Sequence, residues 1–380
     1  MIRTIKVILY PTKEQEIQFR QFCGTSRFIY NSCLAYKKTC YETSGVNCNL
    51  QDLLSYIRSL KYSANYEWLQ LVPEAVQKQS VKDLMSAYKH FFNNGGFPKF
   101  KKKGKGVQSF YQRTDKLHLG RDEDTIKLTG IKEPVKFKNY SRYSISECIQ
   151  RPLNPRVKHD GKHWYLTFSF ECESVGCNLT SETLGIDLGV KNLATVSNGL
   201  IFKSINKSES IRKLSRKLRR LQRKISRKYL LNKSGGKFVK TNNIKKLERQ
   251  IKLLYRRIAN IRDNYIHNIT SYLVRTKPNE IVIEDLNVSD MLKNRHLSRA
   301  ISEQQFYKFR EYLTYKCEEL GIKLTVVDRF YPSSKLCSQC GAYKKILKLS
   351  DRIYKCENCG LEIDRDLNAS LNLRNYALSH

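Results

Sequence analysis

Residues 183–202, TLGIDLGVKNLATVSNGLIF, decide the fold of the C-terminal half of the chain. Their pattern of apolar residues predicts a strand, a turn and a second strand. Asp187 lies inside the first of these strands, between Ile186 and Leu188. A carboxylate among apolar neighbours costs free energy to bury unless another group pairs with it. Asp187 is therefore the first candidate for a functional role.

Two further acids follow predicted elements of the same kind. The segment NEIVIEDLNVSDM (279–291) predicts a short apolar strand that ends on Glu284 and Asp285, and DRDLNASLNLRNYAL (364–378) predicts a final helix with Asp366 near its start. Taken singly, these acids are explained as a helix cap or as partners in salt bridges. As a set, on a first strand, a later strand and a final helix, they match an RNase-H-like nuclease, in which three carboxylates converge at one edge of the sheet.

Three such carboxylates suit a particular chemistry. Their oxygens are hard ligands that hold two Mg²⁺ ions about 4 Å apart, one to activate water and one to stabilise the leaving 3′ oxygen of a phosphodiester. The sequence has no His cluster, no Ser-His-Asp order and no Walker-type glycine loop that would compete for the catalytic role. Asp187, Glu284 and Asp366 therefore predict a Mg²⁺-dependent nuclease.

Four of the twelve cysteines form a metal-ligand pattern. Cys337, Cys340, Cys356 and Cys359 are spaced C-x2-C, fifteen residues, C-x2-C. Each short gap directs two thiolates at the same tetrahedral ion, so the two knuckles fill all four positions and predict one structural Zn²⁺. The other eight cysteines show no short paired spacing in a long chain without a signal peptide. We expect them to be reduced thiols of a cytosolic protein, not disulfides.

The chain is strongly basic. Its 380 residues contain 70 Lys plus Arg against 35 Asp plus Glu, a formal charge of +35, which favours nucleic acid as the partner. An anionic membrane is the competing surface, but no run of about 18 apolar residues is present, and aromatic residues are interleaved with the basic ones. We therefore expect a protein that binds nucleic acid and does not bind membranes.

Two basic segments are candidates for contact with nucleic acid. Between residues 211 and 262, apolar residues spaced three and four apart predict a helical hairpin, whose first arm has no acid from residue 211 to residue 230. The loop NNGGFPKFKKKGKG (93–106) alternates lysines with Phe97 and Phe100, which favours phosphate contacts and base stacking over an ordinary solvated loop. The candidate RNA- or DNA-binding residues are Lys99, Lys101, Lys102, Lys103 and Lys105 of the loop, and Arg212, Arg216, Arg219, Arg220 and Arg223 of the arm.

The rest of the sequence indicates further elements. MIRTIKVILYPT (1–12) predicts a strand, and a helical segment follows it up to residue 92. Between residues 107 and 175, segments such as TIKLTG, PVKFKNY, RYSISECIQ and KHWYLTFSFEC predict the strands of a small β-barrel that includes the first strand. A helix is expected from about residue 302 to residue 320, before the cysteines.

Several motifs together resemble the transposon-encoded TnpB proteins, namely GIDLGVKNLATVSNG, VIEDLNVSDMLKN, YPSSKLCSQCG and CENCGLEIDRDLNASLNL, with VPEAVQKQSVKDLMSAYKHFF and GFPKFKKK upstream. The resemblance implies a multidomain α+β protein, in which an RNase-H-like (RuvC) α/β nuclease domain with a zinc-ribbon insert accompanies a helical recognition domain and a small β-barrel wedge domain. The expected boundaries are 1–10 and 107–178 for the wedge domain, 11–106 for the recognition domain, 179–330 and 361–380 for the nuclease domain, and 331–360 for the zinc ribbon.

For function, the resemblance implies an RNA-guided DNA endonuclease, related to the type V CRISPR effectors, that cuts DNA by two-metal-ion hydrolysis. The motifs carry the catalytic acids over to Asp187, Glu284 and Asp366, and not to their neighbours Asp285 and Asp364. The implied partners and cofactors are a transposon-derived guide RNA, double-stranded target DNA, two Mg²⁺ ions and one Zn²⁺ ion. The protein is expected to act as a monomer on one guide RNA, in the prokaryotic cytosol or nucleoid.

The resemblance also implies that a short duplex motif beside the target is read. Gln77, Lys78, Gln79 and Lys82 of the recognition helix have side chains that suit base edges in the major groove, although an ordinary solvated helix face explains them equally well. Two other functions stay open. One is a DDE-type transposase or resolvase acting on transposon ends, and the other is a guided DNA-binding repressor without cleavage, against which the presence of all three acids argues.

Overall fold

The computed structural model describes residues 1–93, 95–104, 106–173, 176–348 and 351–379. The chain divides into two compact units, an N-terminal unit of Ile2–Cys172 and a C-terminal unit of Met1 with Glu173–His380. The finer predicted boundaries, between wedge and recognition domains and between zinc ribbon and nuclease domain, stay predictions. Lys105 of the basic loop lies outside the described residues.

The N-terminal unit contains an antiparallel sheet, with seven strands in its described residues. The strands are β1 Ile2–Tyr10, β2 Gln108–Tyr111, β3 His118–Leu119, β4 Thr125–Lys127, β5 Val135–Lys138, β6 Leu153–His159 and β7 Trp164–Glu171. Their order is β2-β6-β7-β1-β5-β4-β3, so β1 is central. It buries Ile5, Val7 and Leu9 on one face, as its alternating pattern predicts. The first strand is confirmed, whereas closure of the sheet into a barrel stays a prediction.

Helices make up the rest of this unit. They are α1 Lys13–Ser44, α2 Leu50–Lys61, α3 Glu74–Phe92 and α4 Ile145–Cys148, with short 3-10 helices at Ala64–Leu71 and Thr114–Lys116. Thr12 caps α1 in a reciprocal pair with Gln15, and Gly45 ends it with a left-handed φ of 68°. The strand predicted at RYSISECIQ is wrong, because this segment contains helix α4. Strand β6, which follows α4, was not predicted.

The C-terminal unit follows the chain through strands and helices in alternation. The strands are β8 Thr183–Leu188, β9 Asn192–Val196, β10 Ile201–Lys203, β11 Lys233–Ser234, β12 Lys237–Phe238, β13 Glu280–Glu284, β14 Lys323–Val327, β15 Ile353–Lys355 and β16 Glu362–Asp364. The helices are α5 Glu209–Leu231, α6 Asn242–Arg275, α7 Val288–Met291, α8 Ser298–Gln304, α9 Phe306–Leu320 and α10 Arg365–Ser379, with a 3-10 turn at Ile205–Lys207.

The main sheet of this unit is mixed, in the order β10-β9-β8-β13-β14. Strand β9 pairs antiparallel with both β8 and β10, whereas β13 pairs in parallel with both β8 and β14. One face buries Ile186 and Ile283 against apolar residues of α6 and α9. The other face buries Val282 and Val327 against Leu373 of α10. The sheet therefore lies between two helical layers, a mixed α/β arrangement.

The predicted helical hairpin is present as α5 and α6, which pack through Leu218, Leu254 and Ile258. Its second arm is longer than the predicted end at residue 262, because α6 continues to Arg275 and its last turns join the core of the sheet. The helix predicted at 302–320 is also two helices, since Gln305 adopts a left-handed φ of 57° between α8 and α9. None of the helices in the described residues is apolar over a stretch long enough to cross a membrane.

Candidate active site and metal centre

Asp187 is the second-last residue of β8, and Glu284 is the last residue of β13, which pairs with β8 in parallel. Val282 pairs with Gly185, and Ile283 pairs with Ile186, so the next step of the same register places Glu284 beside Asp187. Side chains alternate between the faces of a strand, and adjacent strands lie about 5 Å apart. Both acids are therefore on the face covered by α10, at the C-terminal end of β8 and β13.

Helix α10 lies very close to this face because β8 has a glycine there. A Cβ at Gly185 would lie 2.0 Å from the carbonyl oxygen of Ser370 and 2.5 Å from the backbone nitrogen of Arg374. No side chain fits at that approach, which explains the Gly of the GIDLG motif. Asp366 lies in the first turn of α10. The close packing thus brings this acid to the same end of the sheet as Asp187.

The three acids interact electrostatically. Burial raises the pKa of Asp187 well above its usual 3.8, and the negative charges of Glu284 and Asp366 raise it further, against a smaller opposing effect of Arg365. Burial also raises the pKa of Glu284, and the hydroxyl of Ser333, which donates to Oε2 at 3.4 Å, opposes that rise. The structure therefore brings both Glu284 and Asp366 within electrostatic range of Asp187.

The two neighbouring acids have other contacts. Asp285 forms ion pairs with Arg310 (2.6 Å) and Arg329 (3.1 Å). Asp364 accepts hydrogen bonds from the backbone N–H of Asp366 (2.9 Å) and Leu367 (3.1 Å), which is the geometry of a helix N-cap. The carboxylates of Asp285 and Asp364 thus both make structural contacts, as an ion-pair partner and as a helix cap.

The four cysteines of the predicted zinc site meet. The sulfur atoms of Cys337, Cys340, Cys356 and Cys359 all lie within 4.8 Å of one another, and no other such group of ligand atoms occurs in the described part of the chain. The sulfurs of Cys337 and Cys359 are 3.5 Å apart, and those of Cys340 and Cys356 are 3.6 Å apart. A disulfide would need about 2.0 Å, whereas tetrahedral zinc with bonds of about 2.3 Å needs sulfurs about 3.8 Å apart. The group therefore fits Zn²⁺.

Hydrogen-bond donors favour the thiolate form of two of the four cysteines, whereas, against a backbone hydrogen bond near Leu361, burial and hydrogen bonds with the neighbouring thiols raise the pKa of Cys359 to about 12. The backbone near Ala342 and the side chain of Asn358 donate hydrogen bonds that lower the pKa of Cys340, and backbone donors near Cys359 and Asn358 lower that of Cys356. A metal ligand must be deprotonated, so such donors assist binding. The other eight cysteines form no disulfide in the structure.

Two asparagines of α10 were missed by the sequence analysis. Asn368 and Asn372 are 0% and 4% exposed, and their amides bond to the backbone that leads into the first cysteine knuckle. Asn375 follows them with a hydrogen bond to the carbonyl of Ser338. The available signal was the spacing of these asparagines by four and three residues, which places them on one face of a helix.

The arginines predicted to bind nucleic acid are exposed on α5. Arg212, Arg216, Arg219, Arg220 and Arg223 are all exposed, and no ion pair to any of them occurs among the described residues. The only acid of this arm, Glu209, pairs with Lys213 at 2.7 Å. The first arm of the hairpin therefore presents uncompensated positive charge.

The described lysines of the basic loop are exposed as well, but one of them is held in place. Lys99, Lys102 and Lys103 are exposed. The backbone of Lys101 makes two hydrogen bonds with the side chain of Asn31, and its Nζ lies 3.9 Å from the centre of the Tyr30 ring. The loop is thus anchored to α1 at this residue.

The residues predicted to read a DNA motif do not share one surface. Gln77 is 3% exposed and donates to the carbonyls of Leu69 and Val72, so a role in DNA contact is wrong for this residue. Gln79 is half-buried and donates to Asp83. Lys78 and Lys82 are exposed one turn apart, and Lys78 pairs with Glu74 at 3.0 Å. Only the two lysines present their charged groups to solvent.

The sheet, the acids and the cysteines define a mixed α/β protein with an acidic centre and a four-cysteine metal-binding group. Three family profiles match the chain, described as a helix-turn-helix domain (1–45), a probable transposase (177–295) and a Cas12f1-like TNB domain (306–373). Among solved structures, a Cas12f1–sgRNA–target DNA complex has a TM-score of 0.58 and 17% identity, over 96% of this chain and 83% of that one. This likeness shows that the fold is that of a Cas12 effector.

Curated relatives match the chain over nearly its whole length. The protein named putative RNA-guided DNA endonuclease InsQ, from Escherichia coli K12, is 32% identical over 390 residues, which cover 98% of this chain and 91% of that protein. TnpB-like protein L770 of Acanthamoeba polyphaga mimivirus is 23% identical over 99% of this chain and 74% of its own length. The chain belongs to the TnpB family.

Proposed function

We propose that this protein is a transposon-associated RNA-guided DNA endonuclease. Its relatives of matching length bear that name, and the observation that carries the proposal is the convergence of Asp187, Glu284 and Asp366 at one end of the mixed sheet. The strand order, with three antiparallel strands followed by two parallel ones, supports an RNase-H-like (RuvC) nuclease domain within the C-terminal unit.

In this proposal the three acids bind Mg²⁺. Their oxygens are the ligand type that Mg²⁺ prefers. Burial first, and then the negative charges of Glu284 and Asp366, raise the pKa of Asp187, and a bound cation would relieve this repulsion. Two ions held by these acids would supply an activated water and would stabilise the leaving oxygen of a phosphodiester. Asp285 and Asp364 are excluded from the role because ion pairs and a helix cap occupy their carboxylates.

The basic surfaces would hold the guide RNA. Contacts from the exposed arginines of α5 and the lysines of the basic loop go to phosphates, and base pairing between RNA and DNA supplies the sequence recognition. Lys78 and Lys82 remain candidates for contact with the duplex beside the target. We further propose one Zn²⁺ at the four cysteines, a wedge domain built on the N-terminal sheet, and a monomer acting in the prokaryotic cytosol or nucleoid.

The test compares cleavage of one plasmid by protein with a matched guide RNA, with a mismatched RNA and with no RNA, at physiological salt and with Mg²⁺. We expect linear product only with the matched RNA, and none in excess EDTA. Equal cutting in all three reactions would leave an unguided nuclease. Strand joining at transposon ends would support a transposase or resolvase, and guided binding without any cut would support a repressor.

A further inference from the structure

Two buried asparagine side chains of α10 form hydrogen bonds with the segment that leads into the predicted zinc site. The side chain of Asn368 donates to the carbonyl of Leu336 at 2.6 Å and accepts from the backbone N–H of Ser338 at 3.0 Å. Asn372, one turn later, donates to the carbonyls of Ser333 and Leu336, each at 2.7 Å. We call residues 333–338 the clamped segment. Cys337, a predicted zinc ligand, lies inside it.

The exit from the cysteine region is fixed to the same helix. Strand β16 pairs with β15, next to Cys356, and it ends at Asp364, from which α10 begins without a linker. The Asp364 side chain caps α10 through the N–H groups of Asp366 and Leu367. The cysteine region is therefore attached to α10 from both sides. Asp366 lies between the two attachments.

The clamped segment also reaches the acids directly. Ser333 is 5% exposed, and its hydroxyl donates to Glu284 at 3.4 Å, while its carbonyl accepts from Asn372. One short segment thus touches an acid of the site at its start and a cysteine knuckle at its end. Displacement of this segment would move the partner of Glu284 and release the first turn of α10 together.

We propose that Asn368 and Asn372 are positioning residues, which make the geometry of the acidic site depend on the folded, metal-bound state of the cysteine region. The inference rests on the proposed nuclease function and extends it. Both side chains are almost completely buried, and the bond from Asn372 to the Ser333 carbonyl is itself buried, so removal of either amide leaves backbone groups without a partner where solvent has little access. Outer ligand-orienting groups of this kind typically change metal affinity or activity by about 10–100-fold.

The first experiment uses the full chain with its co-purified RNA and the variants Asn368→Ala and Asn372→Ala. We expect guided DNA binding and zinc content to be retained, the Mg²⁺ concentration for half-maximal cleavage to rise about tenfold or more, and the Mg²⁺-induced rise in Tm to need equally more Mg²⁺. The control is Asn264→Ala, an exposed asparagine of α6, which should leave all of these unchanged. An unchanged Mg²⁺ requirement in both variants would overturn the inference, whatever their overall stability.

A double-mutant cycle then tests the coupling itself. Cys356→Ser should raise the Mg²⁺ requirement in the wild-type background but add little to Asn368→Ala, because both changes break the same connection. Fully multiplicative effects would contradict the proposal. If Asn368→Ala fails to fold, Asn372→Ser, a milder change, replaces it in the cycle. A wild-type protein that does not cut matched DNA would instead overturn the proposed function, so the two failures are distinguishable.

Discussion

At the scale of single residues, Asp364 and Asp366 are separated by one residue but differ in their contacts. Asp364 caps α10, and the negative charge of Asp366 raises the pKa of Asp187 more than that of Asp364 does. We predict that Asp366→Ala abolishes cleavage and leaves guided DNA binding intact. Asp364→Ala should retain cleavage and lose about 1 kcal/mol of stability, the usual effect of removing a helix cap. Plasmid cleavage, filter binding and thermal melting check this, and cutting by Asp366→Ala together with loss in Asp364→Ala would reverse the assignment.

The raised pKa of Asp187 predicts a pH dependence of stability. An acid whose pKa in the folded state exceeds its usual 3.8 stabilises the fold below that value, and this contribution is lost as the pH rises through the raised pKa. Relative to Asp187→Asn, which carries no charge at this position, metal-free wild-type protein should therefore become less stable as the pH rises toward neutral. Melting in EDTA from pH 4 to pH 8 measures the difference between the two proteins. An identical pH slope for both would contradict the prediction.

The acids could be predicted from sequence, whereas their supports could not. Asp187 and Glu284 each follow apolar residues of a strand, so a local pattern reveals them. The role of Asn368 depends on a backbone segment about thirty residues earlier, and nothing local indicates that contact. The prediction that Gln77 contacts DNA was wrong for a related reason. The sequence of a helix does not show whether a polar side chain is exposed or bonds to buried carbonyls.

At the scale of elements, the approach of α10 to β8 is set by Gly185. We predict that Gly185→Ala displaces α10, which lowers stability by about 1–3 kcal/mol, as overpacking usually does, and strongly reduces cleavage. The matched control is Gly24→Ala inside α1, where the nearest atom to the new Cβ is 3.8 Å away and the helix should gain up to about 1 kcal/mol. Thermal melting and cleavage rates measure both variants. If Gly185→Ala has the Tm and the cleavage rate of the wild-type protein, then α10 packs less tightly on β8 than the structure shows.

The cysteine region should behave as one metal-dependent element. We predict one Zn²⁺ per chain by elemental analysis in reducing buffer, because the four sulfurs already have nearly tetrahedral spacing. Cys356→Ser should lower the zinc content and increase proteolysis of the C-terminal region, while RNA affinity stays close to wild type. Cys23→Ser, in a buried thiol elsewhere, is the control for loss of a sulfur. Absence of zinc from the wild-type protein would refute the assignment.

Element types were easier to predict than element ends. Apolar residues at helical spacing gave both arms of the hairpin, but the same spacing continues past residue 262, where α6 exchanges α5 for the sheet as its partner. The packing partner of α6 changes there, whereas its pattern of apolar residues does not. The break at Gln305 has no glycine or proline to announce it. Helix α4 is only four residues long, too short for its periodicity to outweigh the β-branched composition around it.

At the scale of the whole molecule, the formal charge of +35 is concentrated on particular elements. Helix α5 carries exposed arginines without acidic partners, whereas many basic residues elsewhere, such as Arg156 with Asp83, are paired. Each phosphate neutralised on duplex DNA contributes about −0.9 to the slope of log affinity against log salt. The free protein should therefore bind duplex DNA without sequence preference and with a steep salt dependence, and a bound guide RNA should suppress that binding.

The last prediction tests whether nucleic-acid binding depends on the α5 surface or on the total charge of the protein. Reversal of Arg216, Arg220 and Arg223 to Glu should reduce the salt slope of the free protein on duplex DNA by about 2–3 units and weaken retention of the co-purified RNA. It should leave zinc content unchanged, because the cysteines belong to a different part of the chain. The control reverses the exposed Lys245, Lys246 and Arg249 of α6 and changes the net charge equally. Equal losses of RNA in the two triple variants would mean that total charge, and not the first arm, holds the guide.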